Sequence, residues 1–172
     1  MPKVSQIKLL KPAASRDEAV AQLRGAGDTI IVERGSPRFV LMRCPCGCGD
    51  NLTMNLDRRT GPAWRIYQKR DRLTIFPSYW REDGCQSHFI LWSNHIYWCS
   101  GWDDDDRVWR ESSELEGKVL QALSVESFRS YEQVAEDLGE IPWEVLRACY
   151  NLVRHRKAVA NPLPRRGEFR RL

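Results

Sequence analysis

The chain has 172 residues, of which 42% are hydrophobic and 29% charged, and a formal net charge of +4. That length allows one compact domain or two small ones sharing an interface. No apolar run approaches the ~20 residues of a membrane span, and MPKVSQIKLLKPAASRDEA holds no continuous apolar stretch before Asp17 and Glu18. The sequence therefore predicts a cytoplasmic protein without a signal peptide or membrane contact, in which six cysteines read as metal ligands or buried thiols rather than disulfides.

Ser15-Arg16-Asp17-Glu18 has the form of a capping box ahead of Ala19, Val20 and Leu23, with Gly25 as a stop, which predicts a short N-terminal helix. TIIVE, RGSP and RFVLMRC then read as strand, turn and strand, and LTMNL alternates as a half-buried strand. Further strands are predicted at AWRIYQ, RLTIF, SHFILW and HIYW. Residues ~28 to ~100 thus read as an antiparallel meander with cysteines on its connections. Four aspartates, Asp103 to Asp106, lack the Gly and the spaced oxygens of a calcium loop, so they read as a solvated linker.

Beyond them the period becomes helical. Ser113-Glu114-Leu115-Glu116 and Ser130-Tyr131-Glu132-Gln133 open two helices, Gly139 closes the second, and Pro142 starts a third that carries Val145, Leu146, Cys149, Leu152 and Val153. AVANP follows as a short strand, giving the order of a winged-helix-like module. The last eight residues, RRGEFRRL, form a basic tail that reads first as a solvated end and second as a nucleic-acid contact. The expected fold class is α+β, in three parts. Residues 1–102 form a zinc-stabilised antiparallel β domain, 103–112 an acidic linker, and 113–172 the winged-helix-like module.

The densest signal is RCPCGCGD, with Cys44, Cys46 and Cys48 at every second position. Tetrahedral zinc sets neighbouring sulfurs roughly 3.7 Å apart, whereas residues i and i+2 of a strand lie about 6.6 Å apart. The segment must curl, and Pro45, Gly47 and Gly49 permit it. Cys85 and His88 add a C-x-x-H pair, so five groups compete for four zinc positions. On a turn His88 can ligate; on a strand it points away from Cys85 and is free for chemistry. Cys99 and Cys149 read as core.

Ser87 and His88 are adjacent, and neighbours on a strand face opposite ways, so they pair poorly as nucleophile and base. Ser78, in Phe76-Pro77-Ser78, precedes a connection that turns back toward Cys85, and an antiparallel return sets it beside His88. Both serines stay candidates. Glu33, Asp50 and Asp57 are candidate orienting acids, with nothing to choose among them.

Together, CPCGCG at 44–49, Pro77-Ser78, Cys85-x-Ser87-His88-Phe89 and I-x-W at 96–98 resemble a bacterial domain-of-unknown-function family. Its members are often encoded beside E1-like, E2-like and ubiquitin-like proteins in operons linked to phage defence. The resemblance covers residues 28 to 100. It implies a peptidase that trims a ubiquitin-like precursor or removes the protein from its targets, with the ubiquitin-like C-terminal tail or its conjugates as substrate and E1/E2-like proteins as pathway partners. The expected site comprises Ser78, Ser87 and His88 beside zinc on Cys44, Cys46, Cys48 and Cys85. The rival expectation is a non-catalytic zinc and winged-helix adaptor, its third helix offering Arg147, Asn151, Arg154 and Arg156 to phosphates.

Overall fold

The computed structural model describes residues 3–99, 113–162 and 167–172; the aspartate run and the linker expected at 103–112 lie outside them. The chain divides into two compact units, Met1–Asp103 and Asp104–Leu172. Among the described residues its elements are an α+β mixture of largely antiparallel sheets and four helices. Among the described residues, no helix is long and apolar enough to cross a membrane.

In the N-terminal unit, strand β1 (Lys8–Leu9) precedes helix α1 (Arg16–Gln22), whose N-cap Ser15 accepts from the Glu18 amide at 3.2 Å. Glu18 returns its carboxylate to the Ala14 amide rather than to Ser15, and the helix ends at a Leu23 cap before reaching Gly25. β2 (Asp28–Glu33), β3 (Pro37–Arg43) and β4 (Asn51–Asn55) follow, with sheet order β1-β2-β3-β4. A second sheet holds β5 (Arg65–Lys69), β6 (Arg72–Trp80), β7 (His88–Trp92) and β8 (His95–Trp98) in sequence order. The expected single meander is thus two sheets, and β1 joins β2 in parallel. After β4 the chain leaves its sheet through a 3-10 turn, Arg58–Thr60, capped by the Asp57 carboxylate. A two-residue strand has too few side chains to show a period, so β1 left no sequence signal.

β2 reads as a nearly continuous apolar run because both faces of its sheet are covered. Ile30, Val32 and Leu41 pack with Ala19 of α1 and with its C-cap Leu23. Ile31, Val40, Met42 and Met54 face the other way and meet Leu73, Ile75, Phe89 and Leu91 of the second sheet. Each such side chain contributes about 1.5–3 kcal/mol on full burial. Cys44 belongs to this inter-sheet core, and Cys46 and Cys85 pack against it.

The second unit orders α2 (Ser113–Ala122), β9 (Arg129–Ser130), α3 (Tyr131–Leu138), α4 (Pro142–Arg154), β10 (Ala158–Ala160) and β11 (Glu168–Arg171). The capping box at Ser130 and Gln133 is present, and Gly139 takes the left-handed conformation (φ +65°) that ends α3. The strands form an antiparallel sheet of order β10-β11-β9. The end of the basic tail is therefore not free. Phe169 is fully buried in the α2/α3/α4 core, edge-on to Tyr150, and four arginines in eight residues concealed that one inward ring.

Candidate active site and metal centre

The β3–β4 connection curls as the sulfur spacing requires. The Cys44 amide donates to the Asp50 carbonyl at 2.8 Å and the Gly47 amide to the Cys44 carbonyl at 3.1 Å, while Gly47 and Gly49 sit at φ +84° and +91°. A side chain is strained at those angles, so the glycines are what let three thiols fold onto one point. Cys85 meets them from the turn before β7, where Gly84 and Gln86 also have positive φ. The sulfurs of Cys44, Cys46, Cys48 and Cys85 all lie within 4.8 Å of one another. Cys44 Sγ is 3.7 Å from Cys85 Sγ, the edge of a tetrahedral thiolate site, and 3.3 Å from Cys46 Sγ, somewhat inside it. The four residues therefore fit a metal ion. Four thiolates close such a site, and the ion they would hold supplies rigidity and folding free energy rather than an open position for substrate.

Neighbours favour negative charge on part of the cluster, at Cys46 and Cys85. The buried Ser87 hydroxyl lies 3.2 Å from Cys85 Sγ and 3.6 Å from Cys44 Sγ. Arg81 reaches toward Cys85 Sγ (3.9 Å) while tied to Asp50 at 2.7 Å and Asp83 at 3.1 Å. Burial pushes the Cys44 thiol up. Burial also opposes ionisation of Cys85, but hydrogen bonds from Ser87 and its neighbouring thiols outweigh it and bring Cys85 down to about 6.

His88 lies on the other side of the sheet. Tyr79 pairs with Phe89 and Trp80 with His88, so alternation sends Ser87, Phe89 and Leu91 toward the cysteines and core and His88 away from them. On that outer face His88 Nε2 is 3.3 Å from Ser78 Oγ. The register between Ile75 and Tyr79 is shifted, with three β6 residues against one on β7. This bulge sets Ser78 on the same face as Trp80, diagonal to His88. Trp80 leans over the imidazole, centroids 5.8 Å apart at 32°.

Of the sequence candidates, the structure thus brings Ser78 to His88 and places Ser87 on the cysteines. His88 is not among the four converging metal-binding groups. No candidate acid is hydrogen-bonded to His88 among the described residues. Asp50 holds Arg81, and Asp57 holds Arg38 and Arg59.

Sequence reasoning missed Trp64 and Trp80. The Trp64 indole N–H donates to the Ser78 carbonyl at 3.5 Å and its ring stacks on Tyr79. The same ring lines a cavity of about 360 Å³ with Leu56, Arg58, Ile66 and Tyr67. Trp80 is 62% exposed, and the strand that carries it two residues beyond Ser78 runs past the Phe76 end that the sequence suggested.

Residues 15–99 match the family model described as "Bacterial ubiquitination-like system serine protease (BubE)". The match spans about half of the chain, lies within the N-terminal unit and includes both motifs, which bears out the resemblance read from them. Neither the curated proteins nor the solved structures contain a match to the chain.

Proposed function

We propose that the chain is a cytoplasmic serine peptidase that cleaves after the C-terminal tail of a ubiquitin-like protein, maturing its precursor or releasing it from targets in a bacterial conjugation pathway with E1/E2-like partners and an antiphage role. The observation that carries the reading is the Ser78–His88 contact on the sheet face opposite the cysteines. The family match supports the reaction class.

In this reading the Ser78 hydroxyl donates to His88 Nε2, loses its proton to it and attacks the scissile carbonyl. The tetrahedral adduct collapses as His88 returns the proton to the departing amine. Water, deprotonated by the same imidazole, then hydrolyses the acyl-serine and releases the tail. With no carboxylate on His88 among the described residues, strand pairing and the Trp80 ring hold the imidazole in place. Cys44, Cys46, Cys48 and Cys85 would hold a zinc ion, which would supply structural rigidity where the β3–β4 connection meets the turn that leads into β7. The four thiols thus lie on the segment that positions His88, and apart from the Ser78–His88 face.

A fluorophosphonate reagent should label Ser78 in the native chain and fail in His88→Ala, with metal content equal in both. Labelling at Ser87, or metal loss in His88→Ala, would assign the roles differently.

For the second unit we propose a winged-helix-type binding module. The order α2, β9, α3, α4, β10, β11 supports it, with α4 as the presenting helix. Arg147, Arg154 and Arg156 would meet phosphates. Asn151, also a sequence candidate, is instead buried and donates to Glu116 at 2.9 Å. Duplex DNA binding that weakens steeply with salt is the expected result, and no binding at low salt would leave a protein partner as the module's ligand.

A further inference from the structure

Among the described residues, the pairing of β6 leaves part of its edge without a strand. β5 pairs with β6 only from Lys69↔Arg72 to Arg65↔Phe76. Upstream of Arg65 the chain turns to the first sheet, where the Trp64 amide donates to the Asn55 carbonyl at 2.8 Å and Asn55 Nδ2 donates to the Pro62 carbonyl at 3.0 Å. Ser78 to Trp80 therefore extend past the end of β5.

The directions of their main-chain groups follow from one bond. The Arg81 amide donates to the Ser87 carbonyl at 2.9 Å, so Arg81 and Ser87 face each other as a hydrogen-bonded pair. In an antiparallel ladder such pairs alternate with pairs whose amide and carbonyl groups point outward. Trp80 and His88, one step along, are therefore an outward pair. The Trp80 N–H and C=O point away from β7, toward the side that β5 has vacated. The Ser78 carbonyl points to that side too, because it is the group met by the Trp64 indole. Here an edge with no strand partner among the described residues, an exposed indole and the Ser78 hydroxyl coincide within three residues.

We propose that the Trp80 segment of β6 is the substrate-binding edge: an extended polypeptide tail adds to it as a short strand, hydrogen-bonded to the Trp80 N–H and C=O. The proposal rests on the peptidase reading and adds the way substrate is held. A free main-chain edge recognises main chain, so the occupant is an extended peptide whatever its side chains. Pairing at Trp80 places the tail alongside the Ser78 hydroxyl two residues away, with the Trp80 ring as an apolar wall. The folded body of a ubiquitin-like protein then stays outside, and its extended C-terminal segment reaches the site.

The test uses the full chain with synthetic peptides spanning the cleavage site of a ubiquitin-like precursor, each N-methylated at one successive amide. If the tail pairs as a strand, methylation at alternate amides lowers kcat/KM by tenfold or more, and the intervening positions have little effect. A flat profile with unmethylated peptide still cleaved overturns the edge while leaving the peptidase reading in place. Absence of both cleavage and fluorophosphonate labelling overturns both. A second arm compares Trp80→Pro with Trp80→Ala. Proline removes an N–H that β7 does not use, which an edge position tolerates, whereas alanine keeps the N–H and removes the ring. Cleavage divided by Ser78 labelling should be at least tenfold lower in Trp80→Pro than in Trp80→Ala, and an equal ratio overturns the proposal.

Discussion

The two compact units solve the same problem with different materials. The C-terminal unit closes its core with aliphatic and aromatic side chains, among them Leu115, Val119, Val134, Val145, Leu152 and Phe169, and Cys149 is the lone thiol in that cluster. The inter-sheet core of the N-terminal unit ends instead in thiols, with Cys44 inside it and Cys46 and Cys85 against it. Apolar burial holds a structure together with no partner, whereas clustered thiols repel on ionisation and need a cation to become cohesive. The sheet that meets the cysteines through Cys85 is also the one whose outer face carries the Ser78–His88 contact.

The largest expected effect separates the two serines within the N-terminal unit. Ser78→Ala should lower kcat by at least ~10³-fold with metal content and Tm unchanged, because a nucleophile's loss removes the covalent route. Ser87→Ala should do the reverse. It removes a buried hydroxyl that bonds thiolates, at a cost of about 1.5–3 kcal/mol, and weakens metal retention while residual metal-loaded protein still turns over. Parallel kinetics, metal analysis and melting of the two variants check this. Full activity in Ser78→Ala would move the chemistry elsewhere.

Metal removal tests the contrast between the units directly. Chelation, or Cys46→Ser, should unfold the sheets around residues 28–98, since structural zinc supplies on the order of 10–16 kcal/mol in small domains. Amides of residues 113–162 should keep their protection from hydrogen exchange. Uniform loss across the chain would show that the second unit depends on the first; no loss anywhere would show that the thiols cohere without metal.

The converse variant is Phe169→Ala. Truncating a fully buried ring costs about 3–5 kcal/mol, and the loss should appear in the second unit with metal content untouched. A change below ~1 kcal/mol by chemical denaturation would mean that β11 contributes little.

Phe169 also shows where the sequence was hard to read. Long periodic stretches were legible: capping residues at Ser15 and Ser130, the turn at Gly139 and the alternation of Leu52 and Met54 all correspond to observed elements. The cysteine cluster was legible because sulfur geometry forces a curl that only glycine-rich sequence permits. The pleat rule was enough to separate Ser87 from His88. Two-residue strands such as β1 and β9 were not legible, because tertiary pairing alone defines them. Nor was the β6 bulge, where the two-residue period slips and Pro77-Ser78 continues a strand that the sequence suggested had ended at Phe76. Trp80 went unremarked for the same reason, since its neighbours across the sheet depend on that slip.

The smallest effect concerns Asp57, which joins β3 to the 3-10 turn before β5. Its carboxylate accepts from Arg59 Nε at 2.9 Å and the Arg59 amide at 3.0 Å, and pairs with Arg38 at 2.7 Å. The hydrogen bonds from Arg59, with help from Arg38, hold its pKa well below the usual carboxylate value. A carboxylate with a depressed folded pKa contributes stability that is complete above the unfolded value of ~3.9 and is lost as pH falls toward the folded one. Asp57→Asn should therefore lower the Tm of the N-terminal unit modestly at pH 7, and the gap to the native chain should narrow progressively below about pH 4. The C-terminal unit should show no such change, because this ion pair lies wholly within the first. Melting curves of both proteins from pH 7 to pH 3 check it. A gap that stays constant over that range would mean that geometry at the turn, rather than the charge on Asp57, holds the turn to β3.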